Sequence, residues 1–288
     1  PRCARGHGTP VTIKRARVPL GYRHRMCAAT PSAPLRSHRA TWRRSVGLFR
    51  AFLSEQSAPD RFYGELAQDS ARHVDQFHRL QGTLLLDVGG GPGFFADAFA
   101  ARGATYVAVD ADAGEMRLHG REPGPRTVLA RGDALPFADA TFDVTYSSNV
   151  LEHVDAPWRM ADEMVRVTRP GGTVVVSYTL WFGPWGGHET SPWHLIGGSY
   201  AARRFQRRRG GAPKNVFGES LFAVTAAQGI TWALNATDAT VVAIEPRYLP
   251  SALHWIVAVP GLRELVTWNL LIVLRRSEDR GHRGADRP

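Results

Sequence analysis

A glycine-rich segment of the chain has the residue types that bind a nucleotide-like ligand. It starts at Thr83 and reads TLLLDVGGGPGFFADAFA. The apolar run that ends at Asp87 predicts a buried parallel strand, and the alanine-rich end predicts a helix. The glycines between them permit positive φ angles and let a ligand approach the backbone. Because N–H groups at a helix start attract electronegative atoms, the segment predicts a ligand-binding loop, with an ordinary strand-to-helix turn as the alternative.

The spacing of the glycines separates two classes of nucleotide-binding loop. The dinucleotide pattern G-x-G-x-x-G, begun at Gly89, would need a third glycine where Phe94 stands. The chain instead has D-x-G-x-G-x-G, formed by Asp87, Gly89, Gly91 and Gly93. This arrangement resembles motif I of the class I S-adenosylmethionine (SAM)-dependent methyltransferases. The resemblance implies that these four residues bind SAM, and Phe94 disfavours a nicotinamide-dependent dehydrogenase.

A second acidic residue follows the next apolar run. Residues Tyr106–Val109 predict a buried strand that ends on Asp110, 19 residues after Gly91. In a doubly wound sheet, a carboxylate at this point lies beside the glycine loop and accepts hydrogen bonds from both ribose hydroxyls of an adenosine. A helix N-cap is the alternative role for Asp110. The resemblance adds the neighbouring Ala111 to the cofactor site.

Residues 126–154 make the resemblance more specific. The phrase LPFADATFDV, followed by SSNVLEHV, is similar to the type 11, or ubiquinone/menaquinone-biosynthesis-like, methyltransferases. In these proteins the Gly-Asp-Ala segment meets the adenine. The resemblance therefore implies that Asp133 accepts from the exocyclic amine and that the Ala134 N–H donates to a ring nitrogen. It also implies cofactor contacts at Ser148 and Asn149.

The resemblance implies an α/β fold. We expect a Rossmann-like, doubly wound, mostly parallel seven-stranded sheet with an antiparallel last strand, an N-terminal helical extension and a substrate lid. The expected domains are a disordered basic tail (1–40), cap helices (41–80), a methyltransferase domain (81–276) that contains the lid (181–220), and a flexible tail (277–288). A transit peptide or a start-site artefact is an alternative interpretation of the first segment. In the cap, Tyr63 is expected near the methionine end of SAM or packed in the core.

Apolar periodicity predicts the other elements of the domain. Helices are predicted over 41–56, 60–80, 157–168 and 225–235, and strands over 127–130, 142–147, 173–178, 241–244 and 270–274. Met160 and Met164 fall on one helix face and are expected in the core. The sequence Arg169-Pro170-Gly171-Gly172 predicts a turn before the fifth strand.

The charge of the chain is unevenly distributed. The formal net charge is +10, but residues 1–50 hold 12 of the 36 basic residues and none of the 26 acidic ones, so the remainder has a net charge of −2. A domain that grips nucleic acid carries its positive charge on the folded surface, so we expect no nucleic-acid partner. The two cysteines, Cys3 and Cys27, both lie in the basic tail. This usage fits a reducing cytosol.

A long segment between the fifth strand and the next helix predicts a substrate lid. Residues 181–220 contain three tryptophans and two histidines at the sheet edge where open α/β folds bind ligands. The run Ala201–Lys214 is basic, so it could bind a phosphate, a carboxylate or anionic lipid, or simply be a solvated helix face. The phrases GGHE (186–189) and LFAV (221–224) are similar to uncharacterised actinobacterial methyltransferases. Residues 248–274 are apolar and predict an amphipathic helix followed by the last strand.

The chemistry of methyl transfer directs attention to two histidines. Displacement at a sulfonium depends on positioning in a water-poor pocket, and a hydroxyl acceptor must also lose its proton. We expect His153 to accept that proton and rank His188 second, with Glu152 and Glu189 as carboxylate alternatives. A helix-end residue bonded to backbone is the structural alternative for His153.

These observations predict an enzyme, a SAM-dependent methyltransferase that acts on a small-molecule, glycan or lipid-linked acceptor, at oxygen, and releases S-adenosylhomocysteine. Carbon methylation of a quinone or lipid precursor and a non-catalytic SAM-binding protein are the alternatives. We see no convincing metal-ligand spacing and expect no metal. We expect a cytoplasmic protein that could contact the membrane periphery through its basic lid; the sequence does not indicate an oligomeric state.

Overall fold

A computed structural model of the protein describes residues 38–55 and 57–278. The α-helices of this part are α1 (Trp42–Leu53), α2 (Pro59–Phe77), α3 (Ala96–Ala100), α4 (Pro157–Val167), α5 (Gly198–Arg209), α6 (Ala226–Asn235) and α7 (Leu262–Val266). The strands are β1 (Leu84–Val88), β2 (Thr105–Asp110), β3 (Thr127–Leu129), β4 (Phe142–Ser148), β5 (Thr168–Thr179), β6 (Ala239–Pro246) and β7 (Asn269–Arg276). Short 3₁₀ turns lie at Glu115–Gly120, Leu151–His153, His188–Thr190, Trp193–Leu195 and Ser251–Ala258.

The seven strands form a single sheet in the order β3-β2-β1-β4-β5-β7-β6. The first five strands pair in parallel, whereas β7 is antiparallel to both β5 and β6. This confirms the predicted seven-stranded sheet with an antiparallel last strand. Because β1, β2 and β4 run in the same direction, the residues that follow them meet at one edge of the sheet.

Helices cover both faces of the sheet, as a doubly wound fold requires. On one face, Leu66 of α2 and Phe99 of α3 belong to a buried cluster with Tyr146 of β4. On the other face, Met160 and Met164 of α4 are buried against strand residues, which confirms their expected place in the core. The burial of strand residues on both faces explains the apolar runs Leu84–Leu86 of β1 and Val174–Val176 of β5.

The packed part of the chain begins ahead of the predicted boundary at residue 41. Most of the predicted tail 1–40, and the C-terminal tail from residue 279, lie outside the described residues. His38, however, is only 9% exposed, and its ring stacks on His73 with 3.9 Å between centroids. The Ser251 N–H donates to the Ala40 carbonyl oxygen at 2.7 Å.

Two predictions of local structure are wrong. Residues 248–274 do not form one amphipathic helix before β7; a 3₁₀ turn and the five-residue α7 take its place. Pro260 and Gly261, which has a φ of 79°, separate these pieces. The predicted turn Arg169–Gly172 lies within β5, where an irregular pairing with β4 lets Thr168 join the sheet. None of the described helices combines the length and the apolar composition that a membrane span requires.

Candidate active site

The glycine loop between β1 and α3 leaves room for a ligand. Gly89, Gly91 and Gly93 have φ angles of 79°, 48° and 76°. A Cβ on Gly89 would clash with the side chain of Val150, so the loop packs tightly against the segment after β4. At Gly91, by contrast, no described atom outside its two chain neighbours lies within 4 Å of such a Cβ. The loop is therefore open on one side, and a ligand such as SAM can contact its backbone there.

Asp110 joins the glycine loop at the end of β2. Its Oδ2 accepts the Gly91 N–H at 2.9 Å, and its Oδ1 accepts the Asp112 N–H at 3.0 Å. Partial burial raises the pKa of Asp110, although these N–H groups oppose the shift. Each carboxylate oxygen has a second acceptor site, so Asp110 can hold the turn and still accept from a ribose. Ala111 follows it at an exposed position.

Asp87 lies beneath the loop and is almost fully buried. The Tyr106 O–H donates to Asp87 Oδ2 at 2.6 Å. Burial raises the pKa of Asp87 to about 7, and the hydrogen bond from Tyr106 only partly offsets this shift. The carboxyl is thus poised to become ionised when a cationic group comes near it.

The predicted adenine loop reaches the end of β1. A Cβ on Gly132 would lie 3.2 Å from Val88 Cγ1, which shows how closely the loop packs on that strand. Arg131 binds both oxygens of Asp133, at 2.9 Å each, and this hydrogen bonding lowers the pKa of the carboxyl. Ala134 is exposed beside it, and its N–H donates to the Arg131 carbonyl oxygen at 3.3 Å. The Asp133 carboxylate is therefore ionised and an acceptor, as an adenine contact requires.

Ser148 and Asn149, at the end of β4, make contacts with other parts of the sheet. Asn149 has a φ of 56°, and its Oδ1 accepts from Asn269 Nδ2 at 2.6 Å. Ser148 Oγ accepts from Arg247, a fully buried arginine that also donates to the hydroxyl of Ser177. The sequence reasoning missed Arg247; its only signal is a cation directly after an apolar strand.

Helix α2 brings Tyr63 to the glycine loop. Its ring stacks on Phe94 with 4.6 Å between centroids, and its O–H donates to Glu55 at 2.8 Å. Phe94 follows Gly93 directly, so the aromatic pair lies at the loop that we expect to bind SAM. Arg121 lies over the same Phe94 ring, 4.9 Å from its centroid.

Segment 181–220 is tied to both sides of the carboxyl edge of the sheet. Lys214 Nζ lies 3.2 Å from Glu115, in the turn after β2. Trp185 packs on Phe52 of α1. Glu189 accepts the backbone N–H and the side-chain amide of Asn215, at 2.7 and 2.9 Å, so this alternative proton acceptor is engaged in holding the segment itself. Of the arginines of α5, Arg204 covers the Trp193 ring at 3.9 Å, and most of the others are exposed.

His153 and His188, the two predicted catalytic histidines, lie close together near the end of β4. Their ring centroids are 5.0 Å apart. His153 Nδ1 lies 2.7 Å from the Ser220 carbonyl oxygen, which can only accept, so Nδ1 carries the proton and Nε2 keeps its lone pair. Burial, followed by the charge of His153, lowers the pKa of His188. In its neutral form His153 therefore has Nε2 available to accept a proton, and burial favours the neutral form of His188.

Glu152 completes this group. Its carboxylate is 1% exposed, and its Oε1 accepts the Thr179 N–H at 3.0 Å. One donor atom from each of Glu152, His153 and His188 lies within 4.8 Å of the other two. Sequence reasoning named all three residues as proton acceptors but did not place them in one group.

Comparison with known proteins identifies the fold and its chemistry. The family model described as a methyltransferase domain matches residues 86–176. An uncharacterised methyltransferase of Mycobacterium sp. (strain JLS) is 51% identical over 246 residues, which cover 83% of this chain and 97% of the relative. A second, from Mycobacteroides abscessus, is 48% identical over 251 residues and covers 83% and 96%.

A solved structure has the same fold. The SAM-dependent methyltransferase from Mesorhizobium loti aligns with a TM-score of 0.50 and 20% identity, over 73% of this chain and 98% of that one. At this identity the likeness concerns the fold, which agrees with the strand order described above.

Proposed function

This chain belongs to the family of methyltransferases represented by the mycobacterial proteins and uses SAM as its methyl donor, and from this premise we propose that it methylates an oxygen of a small-molecule, glycan or lipid-linked acceptor. The bound cofactor would supply a methyl group on a positively charged sulfur. The residues of the chain then have three tasks: to hold the cofactor, to enclose the acceptor and to remove its proton.

The cofactor is held where the ends of β1, β2 and β4 meet. We assign the open side of the glycine loop, with Asp87 beneath it, to the methionine part of SAM. Asp110 accepts from the ribose hydroxyls, with Ala111 beside it. Asp133 accepts from the adenine, and the Ala134 N–H would reach it by exchanging its hydrogen bond to the Arg131 carbonyl. The half-buried residues Ser148 and Asn149, at the end of β4, close the site next to Gly89 and Val150.

One observation carries the assignment to oxygen. His153 is locked by the Ser220 carbonyl in the tautomer whose Nε2 can accept a proton. A hydroxyl acceptor needs such a group, since its oxygen becomes a strong nucleophile only when the proton leaves. The O–C bond forms as the C–S bond breaks, the electron pair stays on sulfur, and the hydroxyl proton passes to His153. His188, beside His153, is the second candidate to accept this proton.

The acceptor lies under segment 181–220. This segment brings tryptophans to the carboxyl edge of the sheet, and its Lys214–Glu115 ion pair ties it across the edge. Its exposed arginines form a surface suited to an anionic acceptor or to the headgroups of a membrane.

The test is a transfer reaction with SAM that carries an NMR-visible methyl carbon. The protein is incubated with an actinobacterial extract split into lipid, glycan and small-metabolite fractions. We expect a labelled O-methyl signal in one fraction, strongly reduced by His153→Gln at unchanged SAM affinity. A labelled C-methyl product, or full activity of His153→Gln, would contradict the assignment to oxygen. The matched control is His254→Gln. His254 is a half-buried histidine elsewhere in the chain, and its Nε2 lies 3.3 Å from the Leu249 carbonyl oxygen.

A further inference from the structure

Glu152, His153 and His188 converge from two segments that are distant in the sequence. Glu152 and His153 occupy the turn after β4, and His188 comes from segment 181–220. One donor atom of each lies within 4.8 Å of the others. We propose that these three residues form a binding site for a divalent first-row transition-metal ion, of the class of Zn²⁺ or Co²⁺. This departs from our sequence-based expectation of no metal.

The first argument is that buried donor atoms lack partners. In the described part of the chain, neither Glu152 Oε2 nor His188 Nε2 has a hydrogen-bond partner. Glu152 is 1% exposed, and leaving one of its oxygens buried and unpaired is unfavourable. A cation between the three groups would satisfy both atoms at once.

The second argument is that the surrounding structure orients the groups. The His153 Nδ1–H donates to the Ser220 carbonyl at 2.7 Å, and this bond directs the Nε2 lone pair away from it. Glu152 Oε1 accepts the Thr179 N–H, which leaves Oε2 free. Such outer contacts, a carbonyl on the far nitrogen and a donor on the far oxygen, are typical of metal ligands. His188 is held with a φ of 48°, a strained backbone conformation for a residue other than glycine.

The donor set selects the kind of ion. Two imidazole nitrogens and one carboxylate oxygen suit Zn²⁺ and its first-row neighbours, whereas Mg²⁺ prefers oxygen ligands alone. Three protein ligands leave a coordination position open, as in catalytic zinc sites. With bonds of about 2.1 Å, a tetrahedral ion holds its ligand atoms about 3.4 Å apart, a spacing inside the 4.8 Å limit within which the three atoms lie.

The position of the site gives it a use, which rests on the proposed function. The turn starts next to Val150, whose side chain packs on Gly89 of the cofactor loop. A divalent cation there lowers the pKa of a hydroxyl that approaches its open position. The cation would therefore promote the loss of the acceptor's hydroxyl proton to solvent. This is the task assigned above to the free lone pair of His153 Nε2. Whether the metal binds does not depend on which acceptor is methylated.

The test uses the full chain, without added histidines, freed of metal by a chelator and titrated with Co²⁺. We expect the visible absorption bands of a nitrogen- and oxygen-ligated ion to saturate at one equivalent and to disappear when Zn²⁺ is added. Glu152→Gln keeps the oxygen that accepts from Thr179, so it should fold normally. Its affinity for Co²⁺ should fall by more than about 100-fold, beyond the loss caused by removing an outer contact.

The remaining variants separate the outcomes. His188→Gln should lose Co²⁺ binding to the same degree, whereas His254→Gln should bind as the unaltered chain does. Zn²⁺ should also raise the melting temperature of the unaltered chain but not that of Glu152→Gln. Absence of saturable binding, or equal binding by Glu152→Gln, would overturn the metal site. In that case an O-methyl product that depends on His153 would still support the proposed function, and metal binding with only a C-methyl product would contradict that function alone.

Discussion

At the scale of single residues, burial determines the properties of the groups beneath the cofactor site. Asp87 lies under the glycine loop with one hydrogen bond from a hydroxyl and no described cation beside it. An ionised carboxylate in this environment is poorly solvated, so the folded protein holds a proton there up to about pH 7. A buried carboxyl group with a raised pKa lowers the stability of the folded protein at neutral pH, and such a group is retained where it serves ligand binding.

This predicts the pH dependence of stability for Asp87→Asn. The pKa of Asp87 is about 7 in the folded chain and near 3.8 otherwise. The folded state therefore binds more protons between these values, and its stability falls as pH rises through that window, by up to about 1.4 kcal/mol per pH unit. Asparagine cannot ionise, so the stability of the variant relative to the unaltered chain should increase from about pH 4 to about pH 7. Above about pH 7 this difference in stability should stay constant.

Denaturant unfolding at a series of pH values measures this difference. Asp97→Asn, an exposed acid on α3, is the control and should show no comparable trend. A stability difference that does not change with pH would mean that Asp87 is ionised in the folded chain.

At the scale of elements, the cap helices are anchored to the sheet by buried charges. Arg44 of α1 binds both oxygens of Asp69 of α2, at 2.8 and 2.6 Å, and donates to the Arg247 carbonyl at 3.0 Å. Burial raises the pKa of Asp69, but the hydrogen bonds and charge of Arg44 outweigh it, so the pKa is lowered overall. The pair thus connects both cap helices to the residue that follows β6.

Arg44→Leu should destabilise the protein by about 3–5 kcal/mol, because it leaves the Asp69 carboxylate buried without its main partner. Arg43→Leu is the matched control: the same change at the exposed neighbouring position should alter stability by less than about 0.5 kcal/mol. Both are measured by urea unfolding. Similar losses for the two variants would mean that α1 contributes little to holding the sheet.

The elements also show what could be predicted from the sequence. The strands of the sheet and helices α2, α4 and α6 follow from apolar periodicity, since their burial is repetitive along the chain. The segment 248–274 misled that reasoning, because apolar residues around Pro260 and Gly261 fill short irregular turns. The shape of the glycine loop was predictable, since its spacing specifies the turn itself.

Contacts between distant segments could not be predicted in this way. His188 meets Glu152 and His153 only because segment 181–220 folds back over the sheet edge. Arg247 lies among the hydroxyls of α2, β4 and β5 for the same reason: side chains that are distant in sequence meet only after the sheet has formed. Nor does the sequence reveal that His38 packs on His73.

At the scale of the whole molecule, the account depends on one edge of the sheet. The glycine loop, Asp110 and the loop that contains Asp133 surround the end of β1, and the Glu152–His153–His188 group lies next to them, where segment 181–220 meets the turn after β4. In the proposed function, the methyl donor and its acceptor bind on the two sides of the backbone after β4. The central claim is that SAM binds at this edge through Asp110.

The most direct measurement is a calorimetric titration of SAM into the unaltered chain, Asp110→Asn and the control Asp97→Asn. Asparagine removes the charge and keeps only one of the two oxygens that accept from the Gly91 and Asp112 N–H groups, so the melting temperature of each variant is measured beside its affinity. We predict that Asp110→Asn weakens binding by about 1–3 kcal/mol, or roughly 5- to 150-fold, while Asp97→Asn binds normally. Equal affinity of all three proteins, at equal melting temperature, would contradict the claim.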